Sequence, residues 1–148
     1  MLRRLAAWVA GLWAGILIGI GFIAAPAAFS VAPPDIAGAI GGRFFATEAN
    51  LSLVLAVVLF IFLRRIANDD AHASMIGRRT SLFSTDMLLV VGALFCTVIG
   101  YFVVLPLMET ARAGQGSLSF GALHGLSAGA FGLKTLLVAA LAWRRSGR

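Results

Sequence analysis

Between Phe120 and Arg145 the chain runs F-G-A-L-H-G-L-S-A-G-A-F-G-L-K-T-L-L-V-A-A-L-A-W-R-R, long and apolar enough to cross a bilayer, yet carrying His124, Ser127, Lys134 and Thr135. A lysine near the middle of a lipid-facing helix costs several kcal/mol. The segment therefore has to sit in a bundle that gives Lys134 a partner or a wet cavity, and the rest of the chain has to supply that bundle.

Composition says what the other helices are made for. Of 148 residues, 60% are hydrophobic and 12% charged, against about half and a quarter in an ordinary soluble domain. Lipid is the solvent for most of the chain. The length leaves room for about four spans of roughly 20 residues and for no separate soluble domain. The formal charge of +6 does not point to nucleic acid, because Arg3, Arg4, Arg64, Arg65, Arg78, Arg79, Arg144, Arg145 and Arg148 flank apolar runs. That is how topology determinants are distributed. The single cysteine, Cys96, excludes an internal disulfide and a Cys-only metal site.

The first apolar run, about residues 5–25, exceeds the length of a signal-peptide core despite the A-P-A of Ala25 to Ala27, and reads as a retained helix. Gly11, Gly15 and Gly19 recur every fourth residue and form a stripe against which another helix can pack closely. Pro26, Pro33 and Pro34 are expected to end this helix, with a connector over 26–43. A second run, 44–63, has a polar entrance at Thr47, Glu48, Asn50 and Ser52 and a basic exit at Arg64 and Arg65. Residues 64–80 read as a hydrophilic loop in water. The third helix, 81–108, starts from Thr80 or Ser81 as N-cap and places Asp86, Val90, Ala93, Thr97, Gly100 and Val104 on one interior stripe. A flexible connector, 109–118, leads into the fourth helix, 119–143. Gly121, Gly125 and Gly129 echo the first helix's glycine stripe, which suggests that helices 1 and 4 dock through these faces.

Lysine and arginine are concentrated on the side holding both termini and the second loop, with Arg43 and Arg112 on the other, so both termini are expected in the cytoplasm. The expected fold is an all-α membrane protein, a four-transmembrane-helix antiparallel bundle forming a single integral domain over 1–148 in the inner (plasma) membrane.

Depths along the helices rank the interior polar residues. Counted from the cytoplasmic arginines at ~1.5 Å per residue, Lys134 is ~15 Å deep and Asp86 ~10 Å, compatible with an ion pair between them. Asp86 equally suits the first turn of its helix, near headgroups, and Lys134 could snorkel. By the same ruler Glu48 lies ~24 Å, Cys96 ~25 Å and His124 ~30 Å from that face, so Glu48 and His124 either hydrogen-bond or merely meet water at the far interface. His124, Ser127, Phe131, Lys134 and Thr135 share one flank of the last helix, as a discontinuous polar track or as a surface packed on polar neighbours. Cys96 and His124 are weak metal candidates, without the spacing of a dedicated site. His72 stands in the expected cytoplasmic loop and cannot share a mid-membrane haem with His124. A haem held by His124 and Lys134 ranks last.

Several features together, A-A-P-A-A-F at Ala24 to Phe29, G-G-R-F-F at Gly41 to Phe45, Pro106, and F-G-A-L-H-G-L-S at Phe120 to Ser127, carry a family resemblance. The chain resembles the transmembrane-protein-205-like family, catalogued as domain of unknown function 4149. The resemblance implies a small polytopic membrane protein without an established catalytic activity. It supplies no active site; Phe120, Leu123, His124 and Ser127 match its motif, and Lys134 lies outside it.

No catalytic motif is present, and neither enzyme chemistry nor a cofactor is expected. The leading expectation is a non-enzymatic accessory or interaction subunit whose partners are the bilayer, a second copy or other membrane subunits meeting its glycine faces, and not nucleic acid. The alternative is a component of a small-solute, ion or metal transport pathway using the polar flank of helix 4.

Overall fold

The computed structural model describes residues 1–73 and 84–147. Four helices are long and apolar enough to cross a membrane, and there are no strands among the described residues. Span 1 consists of α1 (Leu2–Ile18), a π-helical turn (Gly19–Ala24) and α2 (Ala25–Val31). Span 2 is one helix, α3 (Pro34–Ala73). Span 3 consists of α4 (Thr85–Thr97), a second π turn (Val98–Val103) and α5 (Val104–Arg112), and span 4 is α6 (Phe120–Ser146).

Two expected connections are largely helical instead. Pro26 does not end the first helix, and the prolines explain why. A proline within a helix lacks the N–H that would bond back one turn, and its ring crowds the carbonyl four residues earlier. A π turn relieves both by routing bonds to the fifth residue back: Ala25 N–H donates to the Ile20 carbonyl just before Pro26, and Val104 N–H to the Ile99 carbonyl just before Pro106. The break falls at Ala32, which is extended (φ −127°, ψ 151°) as a residue before proline prefers to be. Pro34 then opens span 2 at a position that needs no N–H, followed by Asp35 in the first turn where the helix dipole favours an acid. Span 2 thus begins ahead of residue 44.

At its other end span 2 continues past Arg64 and Arg65 to Ala73. Ile66 is buried against the core, and Asp70 pairs with Arg3 of span 1, so the first part of the expected 64–80 loop is helix. The remainder, with Ser74, Arg78, Arg79 and the proposed caps Thr80 and Ser81, lies outside the described residues. Ser84 caps span 3 by accepting from Met87 N–H at 3.3 Å. Ser119 caps span 4 in the same way through Ala122 N–H, at 3.3 Å.

The spans pack as a ring in the order 1, 2, 3, 4 and back to 1, leaving spans 2 and 4 facing each other across the diagonal. Neighbours run antiparallel: Arg3 meets Asp70 and Trp13 meets Ser52 between spans 1 and 2, while Asp86 meets Arg144 and Arg145 between spans 3 and 4. The end holding Met1 and Gly147 is here the termini end, and that holding residues 32–33 and 113–119 the connector end. The main core lies toward the termini end, where Ala6, Ala10, Trp13 and Leu17 of span 1 pack with Leu59, Met87, Val90, Val138 and Leu141.

Spans 1 and 4 do pack together, but not through the glycines expected. Gly11, Gly15, Gly19, Gly121, Gly125 and Gly129 would each meet nothing within 4 Å of an added Cβ. The alanine face of α1 takes the contact, because Ala6, Ala10 and Ala14 share their side with Trp13 and Leu17, whose bulk fills the ring. The close approaches are made by other glycines: Gly92 against Leu137, Gly100 against Ala130, and Gly21 against the ring of Phe131.

Candidate functional site

Lys134 and Glu48 meet across the diagonal. The ammonium donates to both carboxylate oxygens, at 2.9 Å to Oε1 and 2.8 Å to Oε2, and the two residues are only 3% and 2% exposed. Ser52, one turn along span 2, donates its hydroxyl to Glu48 Oε1. Trp13 Nε1–H of span 1 in turn donates to Ser52 Oγ at 2.8 Å. That donation leaves the Ser52 proton free to point at the carboxylate. Glu48 therefore receives donors from a serine and twice from a lysine, the pattern that suits an ionised carboxylate. Three spans cooperate in holding it.

Pairing is what makes these charges tolerable. An isolated carboxylate or ammonium in low dielectric would neutralise or drag water in, while a hydrogen-bonded pair offsets most of that desolvation. The remaining side of Lys134 faces an aromatic ring: Nζ is 5.0 Å from the Phe131 centroid, within cation–π range. Phe45 meets Phe131 edge-on, at 5.2 Å between centroids and 84° between planes. Phe45 precedes Glu48 by three positions and Phe131 precedes Lys134 by three, so each aromatic lies one helical turn toward the connector end from its charged neighbour. An aromatic tier is stacked directly on a charged tier.

Asp86 belongs to a second centre. It is 2% exposed, and its two oxygens are taken by Arg144 Nε and Arg145 Nη2, each at 2.7 Å. This cluster ties the start of span 3 to the end of span 4 at the termini end. The Asp86 to Lys134 pair that their depths allowed is thus replaced by two separate centres, Glu48 with Lys134 and Asp86 with both arginines. Nor does the structure bring His124 to Glu48: His124 is exposed and stacks on Phe120 at 5.9 Å, while Arg112 lies over the other part of that aromatic group, 4.6 Å from the Phe120 centroid.

The ruler explains the mispairing. Depths counted from Arg64 and Arg144 take these arginines to lie at one level, but with Glu48 and Lys134 in contact, sixteen residues separate Glu48 from Arg64 and ten separate Lys134 from Arg144, so Arg64 stands farther toward the termini end. Counted from the first residues at the connector end, Pro34 and Phe120, Glu48 and Lys134 are equally deep at ~21 Å. Had the Pro33-Pro34 pair been read as the opening of span 2, the partner would have been evident. Trp13, Arg144 and Arg145 were missed as site members because an indole and a basic helix end have commoner uses as filler and topology signal.

The remaining expected residues stand apart from the charged tier or support it. Thr97 is buried and donates to the Ala93 carbonyl at 3.0 Å; Thr135 donates to the Phe131 carbonyl at 2.9 Å. Ser127 is half-buried. Cys96 is buried. Among the described residues, no three or more His, Cys, Asp or Glu side chains gather as a metal site would require. Shallow grooves at the two ends, one bounded by Met1, Arg3 and Asp69 and the other by Leu107, Thr110 and Leu118, do not touch the Glu48–Lys134 pair.

The sequence profile described as "Domain of unknown function (DUF4149)" matches residues 8–117, well over half of the chain. The matched stretch contains Trp13, Glu48, Ser52 and Asp86 and stops before span 4. Searches for curated relatives and for solved structures of similar fold found no match.

Proposed function

The chain belongs to the family of domain of unknown function 4149, and from that premise we propose that it is a component of an ion pathway through the membrane, with Glu48 and Lys134 as its central exchange site. The observation that carries this reading is the diagonal position of the pair: the charges lie between non-adjacent spans, on the axis a permeating species would follow. Ionisable side chains at such depth are retained against a desolvation cost and are commonly part of ion or proton routes. The proton is the ion this site is chemically equipped to handle. A carboxylate and an ammonium in direct hydrogen-bond contact can exchange one without a hydrated cation having to fit between them.

The test is flux in sealed proteoliposomes under an imposed membrane potential, read with an internal pH indicator. The wild type is expected to move protons faster than protein-free vesicles, and Lys134→Met to lose that increment. A wild type no faster than empty vesicles, though folded, would sink the reading.

A second reading, an accessory subunit, is supported by the six glycines of spans 1 and 4 that turn a Cβ-free surface outward. Such surfaces allow close helix association, with a second copy or another membrane subunit. The basic residues at the termini end support an inner-membrane orientation with both termini cytoplasmic, to be checked by labelling a cysteine placed at Ser117 from one side only. The F-G-A-L-H-G-L-S segment supports placement among the transmembrane-protein-205-like proteins.

A further inference from the structure

We propose that the Glu48–Lys134 pair is reached from the connector end alone, through a gate formed by Phe131 and Phe45 and hinged at the two π turns. The inference rests on the ion-pathway reading for its purpose, but its geometry stands independently. Phe45 and Phe131 come from the diagonal spans and meet edge-on over the bundle axis, one turn from the charged pair. Phe131 also covers Lys134 through its ring face. Anything approaching the pair from the connector end has to displace this ring.

The surroundings of the aromatic tier are built for displacement. Both π turns reach this level: Gly21 of the first turn lies against the Phe131 ring, and Gly100 of the second lies against Ala130, next to Phe131. Neither π turn contains a buried residue. Each is followed by a proline, Pro26 or Pro106, at which the helix has already lost a backbone bond. π turns and prolines are the common sites of helix bending. Beyond them the ring is no longer closed: α2 packs on span 2 and α5 on span 4, as two separate hairpins. Swinging these hairpins apart would draw Gly21 from the edge of Phe131 and let the ring turn aside.

Among the described residues, nothing comparable exists toward the termini end. The axis is filled by Trp13, Leu17, Leu59, Met87, Val90 and Leu141, and the helices are tied by Asp86 to two arginines. Opening that side would require breaking the main core.

Native Cys96, buried at the end of α4 just before the second π turn, is the reporter. The intact protein in sealed vesicles is exposed on one side at a time to the membrane-impermeant anion sulfonatoethyl methanethiosulfonate, with Ser117→Cys in a Cys96→Ala background marking the connector side. Cys96 is expected to react slowly from the connector side and not from the other. Phe131→Ala is expected to raise the connector-side rate by roughly tenfold or more, in proportion to the open population. Gly21→Ala, whose methyl would overlap the Phe131 ring, is expected to raise it while leaving every native side chain in place, and to add nothing to Phe131→Ala. Modification from the termini side, or rates unchanged in either variant that folds, would overturn the gate. Flux with unchanged labelling breaks the gate and leaves the ion pathway standing; the expected labelling without flux does the reverse.

Discussion

At the termini end the four spans close a ring around large buried side chains, with Trp13, Leu17, Leu59, Met87 and Leu141 each at most 1% exposed. At the connector end the π turns and α2 have no buried residue at all, and the small cluster of Val104, Met108 and Leu123 lies within the hairpin of spans 3 and 4. The ion pairs follow the same division. Asp86 with Arg144 and Arg145 fastens the termini end, Glu48 with Lys134 marks the boundary, and Phe120, with Arg112 and His124 against it, lies beyond. One sequence has thus been divided into a rigid base and a looser mouth. The boundary is set where glycine and proline recur, because those residues give up local packing and backbone bonds that the base retains.

The largest effect is expected at the boundary. Lys134→Met leaves Glu48 buried with only the Ser52 hydroxyl among its two donors, and breaking one side of such a pair costs about 3–5 kcal/mol. Glu48→Leu combined with Lys134→Met removes both charges and should recover most of that loss. Denaturant unfolding of the single and double variants in micelles measures the coupling. If the two single losses simply add, the pair is not what joins the base to the mouth.

How this division was legible in the sequence depends on which residues are asked. Four spans followed from apolar runs separated by polar or proline-bearing stretches, and the lysine of span 4 demanded a partner. The partner itself was misassigned because the arginines of spans 2 and 4 were taken to lie at one depth. Arg64 and Arg65 sit within span 2, which extends past them to bury Ile66 and pair Asp70. Pro26 was legible as an interruption but not as a bend inside a continuous span, and Pro106 was placed inside the expected helix 81–108 without the π turn before it, since the π turns that accommodate both prolines are decided by backbone bonding with no side-chain pattern of their own. Glycine spacing was the most misleading signal. Gly11, Gly15 and Gly19 repeat with helical regularity yet face outward, while Gly21, outside that repeat, makes the tight contact with Phe131. Periodicity identifies a face; what stands opposite depends on the rotation of the whole helix, which Trp13 and Leu17 determine.

Truncations within the two cores test the division next. Leu59 is 0% exposed in the base and Leu123 is 2% exposed in the mouth. Leu59→Ala is expected to cost about 2–5 kcal/mol, the range for a rigidly enclosed leucine, and Leu123→Ala less, since the cost falls where surrounding groups can collapse into the space. Amide hydrogen exchange should follow the same order, with residues 104–112 exchanging before residues 86–97. Equal losses and equal protection would erase the distinction between base and mouth.

The smallest expected effect concerns the glycines and separates the two functional readings. An alanine at Gly92 would place its Cβ 3.1 Å from Leu137 Cδ1, close enough that the leucine has to shift, and the strain should offset the helix-propensity gain of about 1 kcal/mol. An alanine at Gly15 meets nothing within 4 Å, so the monomer in detergent should keep that gain and unfold at slightly higher denaturant. The same Gly15→Ala variant in lipid vesicles then reports on the outward face. If that face is bare, stability rises there as it does in detergent. If a second copy packs against Gly11, Gly15 and Gly19, the added methyl holds the backbones apart, and energy transfer between labelled copies falls even as the isolated monomer becomes more stable.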